Sequence, residues 1–114
     1  MVQKIEIIRG TSNRFEVTIT DASYNLYTLA SGEKVLFGVK KNPTDEDYIF
    51  LKTITTGTNG VFVATVNPED TADIEPGRYY YDVGLQAGAE YYNVIETSPF
   101  DVLVNVTNWG DGDD

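Results

Sequence analysis

The chain has 114 residues and a formal net charge of −10, and it contains neither Cys nor His. Without Cys it has no disulfide, thiolate metal site or thiol nucleophile, and without His it lacks the usual general base of neutral-pH catalysis. The negative charge opposes binding to a nucleic-acid backbone or to an anionic membrane. Composition therefore argues against an enzyme and favours a binding or assembly module, with no catalytic residue, cofactor or metal assigned.

The length predicts one domain. We place it at residues 1–109, followed by a flexible acidic tail at residues 110–114. The first nine residues alternate charged and apolar side chains, whereas a secretory signal needs an uninterrupted apolar segment. No run approaches the length of a membrane span. We therefore expect a soluble product made in a cytoplasm.

In the first half of the chain, apolar and polar residues alternate with the period of two that is typical of strands. Strands are predicted at residues 5–8 and 14–20. The apolar stretch at 26–29 is expected to cover one end of the core. A third strand at 35–39 ends before Pro43, because proline cannot donate to a sheet ladder.

In the second half, a fourth strand is predicted at residues 48–54. The Asn59-Gly60 pair is a strong hairpin signal and predicts a return strand at 61–66. Asn67-Pro68 has the chemistry of a helix start, but Pro76-Gly77 follows within about two turns. We therefore predict a short crossover turn there rather than a core helix.

Three further strands are predicted at residues 79–85, 91–96 and 100–106. The total of about eight short strands, separated by turn signals, is typical of a β-sandwich or barrel. The predicted fold class is therefore all-β.

The segment GRYYYDV at residues 77–83 is the most informative part of the sequence. Alternation places Tyr79 and Tyr81 on the inner face, where one hydroxyl is positioned to act as a tyrosine corner. Tyr80 is expected on the outer face with Tyr92 of an adjacent strand, and these two would form an aromatic patch that contacts a partner.

Other candidate partner contacts are apolar. Leu36, Leu51 and Leu103 fall on the minority face of their strands, where a cluster would mark a partner surface. Trp109 follows the last strand, and it either caps the end of the domain or docks on a partner or a sugar ring. The tentative interface thus comprises Tyr80, Tyr92, Trp109, Leu36 and Leu103.

Acidic clusters give no metal prediction. The tail carries Asp111, Asp113 and Asp114 but lacks the distal bidentate Glu of a calcium loop. The clusters at residues 45–47 and 69–73 fall in predicted turns, where acids are usually hydrated or cap a helix. We interpret all three as solvated surface.

Several motifs together resemble a known family. The segments KIEIIRGT at residues 4–11 and FEVTITD at 15–21 are similar to the start of certain phage domains, the N-terminal immunoglobulin-like domains of upper baseplate proteins. LASGEKVLFGVK at 29–40 is similar to their Leu-x-x-Gly-x-x-Val-x-Phe-x-Val-Lys pattern. The glycine, tyrosines, aspartate and valine of 77–83 match their Gly-x-Tyr-x-Tyr-Asp-Val pattern.

The resemblance covers most of residues 4–104 and carries no catalytic motif. It implies an immunoglobulin-like antiparallel β-sandwich and a phage or prophage virion structural protein of the baseplate, tail or head-fibre type. Other virion proteins would be its partners, and it would form a homo-oligomer in the assembled particle. Thr11 stands where such domains often carry Asp. The alternative is a carbohydrate-binding or adhesion module that recognises a host glycan.

Overall fold

The computed structural model describes residues 3–106, which form seven strands and one short helix. The domain is mostly β, so the all-β prediction is confirmed. The elements in chain order are β1 (Ile5–Ile8), β2 (Asn13–Thr18), β3 (Lys34–Lys40), β4 (Phe50–Ile54), β5 (Val61–Val66), α1 (Pro68–Thr71), β6 (Gly77–Ala87) and β7 (Glu90–Leu103).

The strands form two sheets. The larger has five strands in the order β1-β7-β6-β3-β4, and the smaller pairs β2 with β5. β1 runs parallel to β7, with Ile7 opposite Val102, so the larger sheet is mixed and the prediction of a wholly antiparallel sandwich is wrong at this edge. Parallel neighbours need a long connection, and the rest of the domain supplies it between β1 and β7.

The inner faces of the two sheets share one hydrophobic core. Phe37 of β3 lies at its centre, with its ring centroid 5.7 Å from that of Phe15 in the smaller sheet and 5.4 Å from that of Tyr81. Phe50 and Phe100 surround the same ring at 6.4 Å. Alternation along each strand places these rings on one side, as the period of two predicts.

The number and length of the strands differ from the prediction. β7 runs without a break from Glu90 to Leu103 and joins the two strands predicted at 91–96 and 100–106. Pro99 lies inside it, opposite Tyr80, one residue before the pairing with β1 begins at Phe100. A strand tolerates proline where a neighbouring strand is missing, and here β7 has only β6 beside it.

The Asn59-Gly60 pair forms its turn but not the predicted hairpin. Both residues have positive φ, and Thr58 and Val61 exchange two backbone hydrogen bonds across them. β4, however, pairs with β3, whereas β5 pairs with β2. The turn therefore carries the chain from one sheet to the other, so that β4 and β5 contribute to opposite sides of the core.

The predicted crossover turn is present as α1. The backbone N–H of Asn67 donates to the Asp70 carboxylate at 2.8 Å, and Pro68 is the first helical residue. Thr71 at the end of α1 is fully buried, and its hydroxyl oxygen accepts a hydrogen bond from the Gly10 N–H at 2.8 Å. The helix thereby holds the turn between β1 and β2.

The two inward tyrosines of β6 are buried, as predicted. The hydroxyl of Tyr79 donates to the backbone oxygen of Glu75, four residues upstream, at 2.7 Å. This bond has the geometry expected of a tyrosine corner. The hydroxyl of Tyr81 donates to the backbone oxygen of Gln3 and ties the chain before β1 to β6.

Candidate interaction surface

The outer face of the five-stranded sheet carries three of the five candidate residues. Leu36 lies opposite Gly84, Tyr80 opposite Pro99, and Leu103 beside Ile8 at the β1 edge. Leu36 and Tyr80 are half-buried, and Leu103 is exposed. Trp109 and the acidic tail, including Asp111, Asp113 and Asp114, lie outside the described residues.

Tyr92 does not join Tyr80 in one patch. Their strands are adjacent, as expected, but Tyr92 pairs with Leu85, a core residue of the inner face. Residues directly opposite each other in an antiparallel pair share a face, so Tyr92 and Tyr80 lie on opposite faces. The β6–β7 ladder contains two irregularities between Tyr81 and Gly84, where β7 has extra residues. Simple alternation does not foresee such bulges.

Two tyrosines that were not among the predicted interface residues are exposed on the outer face. Tyr48 and Tyr91 are each about half exposed, and their side chains lie close over two strand glycines. A Cβ atom at Gly38 would lie 2.6 Å from the Tyr48 ring, and one at Gly84 would lie 1.9 Å from the Tyr91 hydroxyl. A glycine inside a strand is a sequence signal for such a close approach.

Asp82 lies between these two rings. It pairs with Gly38 across the β3–β6 ladder and is half-buried. Among residues 3–106, its carboxylate has no hydrogen-bond donor and no cation within bonding distance. Burial raises the pKa of Asp82, and the positive charge of Lys40 opposes part of that rise.

The residues around Asp82 form a small depression of about 110 Å³, which we call the Asp82 cleft. Lys40 lies at its rim, with its Nζ 4.8 Å from the centroid of the Tyr48 ring and donating to the Asp45 backbone oxygen at 2.6 Å. The residues that line the Asp82 cleft are Gly38, Lys40, Pro43, Tyr48, Tyr81, Asp82, Tyr91 and Thr97.

A larger groove of about 830 Å³ opens where β2 ends beside the β6–β7 hairpin. Tyr27 and Tyr92 line it, and each hydroxyl donates to a carboxylate: Tyr27 to Glu33 at 2.8 Å and Tyr92 to Glu90 at 2.7 Å. We call it the tyrosine groove. Its aromatic rings and acceptor oxygens suit a neutral, hydroxyl-rich ligand.

We expect Asp82→Asn to stabilise the domain at neutral pH. Because its pKa is raised on folding, the folded state binds the Asp82 proton more tightly than the unfolded state does. The ionised carboxylate therefore lowers stability above the raised pKa, and this cost disappears as the pH falls below the ordinary value of about 3.9. The free energy of unfolding should therefore rise at pH 7 and change little at about pH 3.

Urea unfolding at the two pH values measures this difference. Asp47→Asn, the same chemical change at an exposed position of the neighbouring loop, is the control and should have a smaller effect at pH 7. An Asp82→Asn variant less stable than the wild type at pH 7 would contradict the burial argument.

Residues 3–106 contain no group of three or more acidic side chains positioned to hold a metal ion, and none of their helices is long and apolar enough to cross a membrane. No family model matches the sequence, and no curated protein matches it significantly.

Proposed function

We propose that the chain is a non-enzymatic structural protein of a phage or prophage particle, and that it binds neighbouring virion proteins through the outer face of its five-stranded sheet. The observation that carries this proposal is the cluster of exposed apolar side chains on that face. Tyr48, Leu51 and Tyr91 are 48%, 42% and 53% exposed and lie around the Asp82 cleft. Clustered exposed aromatic and apolar groups are typical of protein interfaces.

The strand order supports the immunoglobulin-like part of the proposal. β7, β6, β3 and β4 follow the order of strands G, F, C and C′ in a variable-type immunoglobulin sheet, and the β2–β5 pair corresponds to strands B and E. Tyr79 stands near the start of β6, the equivalent of strand F, and its hydroxyl bonds back to Glu75 in the preceding corner. That is where the tyrosine corner of such domains lies.

Symmetric assembly would make the binding of this face strong enough to hold the protein in a particle. One exposed face of a small domain gives a weak contact, but repetition around a ring multiplies it through effective concentration. In this account the protein is made in the host cytoplasm and becomes part of the virion, where it forms a homo-oligomer beside other structural proteins. Neither a nucleic acid nor a membrane is a partner, in keeping with the net charge of −10.

Mass spectrometry of purified particles tests the proposal. Particles released by the phage-producing or lysogenic source are separated on a density gradient and washed at high salt. We expect this chain to band with the particles in a fixed ratio to their other structural proteins. Its absence from the particles, with the protein present in the lysate, would contradict the proposal.

A second function, carbohydrate binding, is favoured by the tyrosine groove. Tyr92 is half exposed there, and sugar rings stack on tyrosine faces while carboxylates such as Glu33 and Glu90 accept their hydroxyl groups. Titration of ¹⁵N-labelled protein with cell-wall polysaccharide tests it. Binding that Tyr92→Ala abolishes, and that Tyr48→Ala on the opposite face leaves intact, would favour this function, whereas no shift in groove residues would reject it.

A further inference from the structure

We propose that the Asp82 cleft is a socket for a basic side chain of the partner, and that arginine fits it best. The inference rests on the proposed function, because it assigns the chemistry by which the outer face recognises its partner. Three observations carry it: an unpaired carboxylate, two aromatic walls held in place by glycines, and an excess of negative charge around the opening.

The first observation is a contrast between two aspartates on the same face. Asp101 accepts two hydrogen bonds from Arg78, at 2.8 and 3.0 Å, and its pKa is lowered accordingly. Asp82 is half-buried between two rings without any such partner among the described residues. A partly desolvated carboxylate gains most from a cation that brings its own hydrogen-bond donors.

The second observation is the shape of the walls. Gly38 and Gly84 leave room for the rings of Tyr48 and Tyr91 to lie against the sheet on either side of Asp82. Arginine has a planar guanidinium that stacks on aromatic faces and bonds a carboxylate with two parallel N–H groups. The space of about 110 Å³ suits the tip of one side chain.

The third observation is charge. The β3–β4 loop beside the cleft contains the acidic run at residues 45–47, and the whole chain carries −10. Lys40 is the basic residue among those that line the cleft, and its ammonium group is engaged by the Asp45 backbone oxygen and the face of Tyr48. Lys40 keeps its positive charge but forms no hydrogen bond to Asp82, and the acidic loop and the net charge of −10 favour a cation over an anion at the opening.

A titration with a small probe tests the socket without any partner protein. ¹⁵N-labelled protein is titrated with Nα-acetyl-arginine methylamide, and the matching citrulline compound serves as a neutral probe of nearly the same shape. We expect the arginine probe to shift the amide signals of Asp82, Gly84 and Tyr91 in a saturable way, and the citrulline probe to bind at least about tenfold more weakly.

Two variants locate the effect. Asp82→Asn should weaken arginine binding at least about tenfold, whereas Asp73→Asn removes the same charge at an exposed position outside the cleft and its acidic loop and should change it less than about twofold. Gly84→Ala places a Cβ where the Tyr91 hydroxyl lies, so it should displace that ring and weaken binding, while a well-dispersed spectrum shows that the fold is intact.

Several outcomes would overturn the socket. These are no saturable shift up to about 50 mM probe, equal binding of the arginine and citrulline probes, equal losses in Asp82→Asn and Asp73→Asn, or cleft shifts produced by a methyl glycoside instead. The result is separable from the particle experiment. Particles that contain the chain without arginine binding overturn the socket alone, and arginine binding by a chain absent from particles overturns the virion role alone.

Discussion

Replacing Phe37 by Ala is expected to remove about 3–5 kcal/mol from the free energy of unfolding. The side chain is 1% exposed at the centre of the core, where it contacts rings from both sheets. Truncation leaves a cavity that its neighbours, held by two separate ladders, cannot fill without distorting the packing. Because small domains are stable by only about 5–15 kcal/mol, this variant should be close to unfolding at ambient temperature.

Urea unfolding followed by circular dichroism measures the effect of Phe37→Ala. Leu36→Ala, one residue earlier on the half-buried outer face, is the matched control and should cost much less, about 1 kcal/mol. Equal losses in the two variants would mean that the sheets do not meet across Phe37.

The second large effect is expected from Thr71→Val. Valine has nearly the shape of threonine but no acceptor, so the buried N–H of Gly10 would lose its hydrogen-bond partner. An unsatisfied buried donor costs about 1–3 kcal/mol. The turn between β1 and β2 would be loosened, because α1 holds it through this bond.

Thr71→Ser is the control for that prediction, since it keeps the hydroxyl and removes only a methyl group. We expect the serine variant to be the more stable of the two in thermal unfolding, with slow hydrogen exchange retained at the Gly10 amide. A valine variant as stable as the serine variant, with the same Gly10 protection, would show that this bond contributes little.

The faces of most strands could be predicted from the sequence, because a half-buried strand repeats its apolar residues every second position. The inner placement of Phe37, Tyr79 and Phe100 follows from that period. So do the outer placements of Leu36 and Tyr80. The crossover turn was also predictable, since Asn67 and the residues after it carry the local chemistry of a helix start.

Long-range pairing was not predictable in the same way. The local sequence around Asn59-Gly60 does not determine whether the flanking strands pair with each other or with strands of different sheets. The parallel partner of β1 lies 95 residues away in sequence, so the pairing is fixed by the core and not by a turn. The bulges in β7 likewise set which face of the sheet Tyr92 occupies. They form only when β7 pairs with β6, so alternation along β7 alone does not predict them.

The Asp82 cleft has a partial signal in the sequence, namely two glycines inside predicted strands. Gly38 and Gly84 interrupt strong strand patterns, and strand glycines mark places where another group approaches the backbone closely. The sequence does not say which group approaches. Tyr48 and Tyr91 reach the glycines from a loop and from a neighbouring strand, and only the assembled sheet brings the four residues together.

We propose that the outer face of the five-stranded sheet is the surface that binds other virion proteins, and one comparison of variants tests this directly. Tagged wild type, Leu51→Glu on that face and Thr65→Glu on the outer face of the two-stranded sheet are compared by affinity capture from lysate of the phage-producing source. We predict that wild type and Thr65→Glu capture the same particle proteins and that Leu51→Glu loses them. Capture of the same proteins by all three, or of wall polysaccharide alone, would contradict the account.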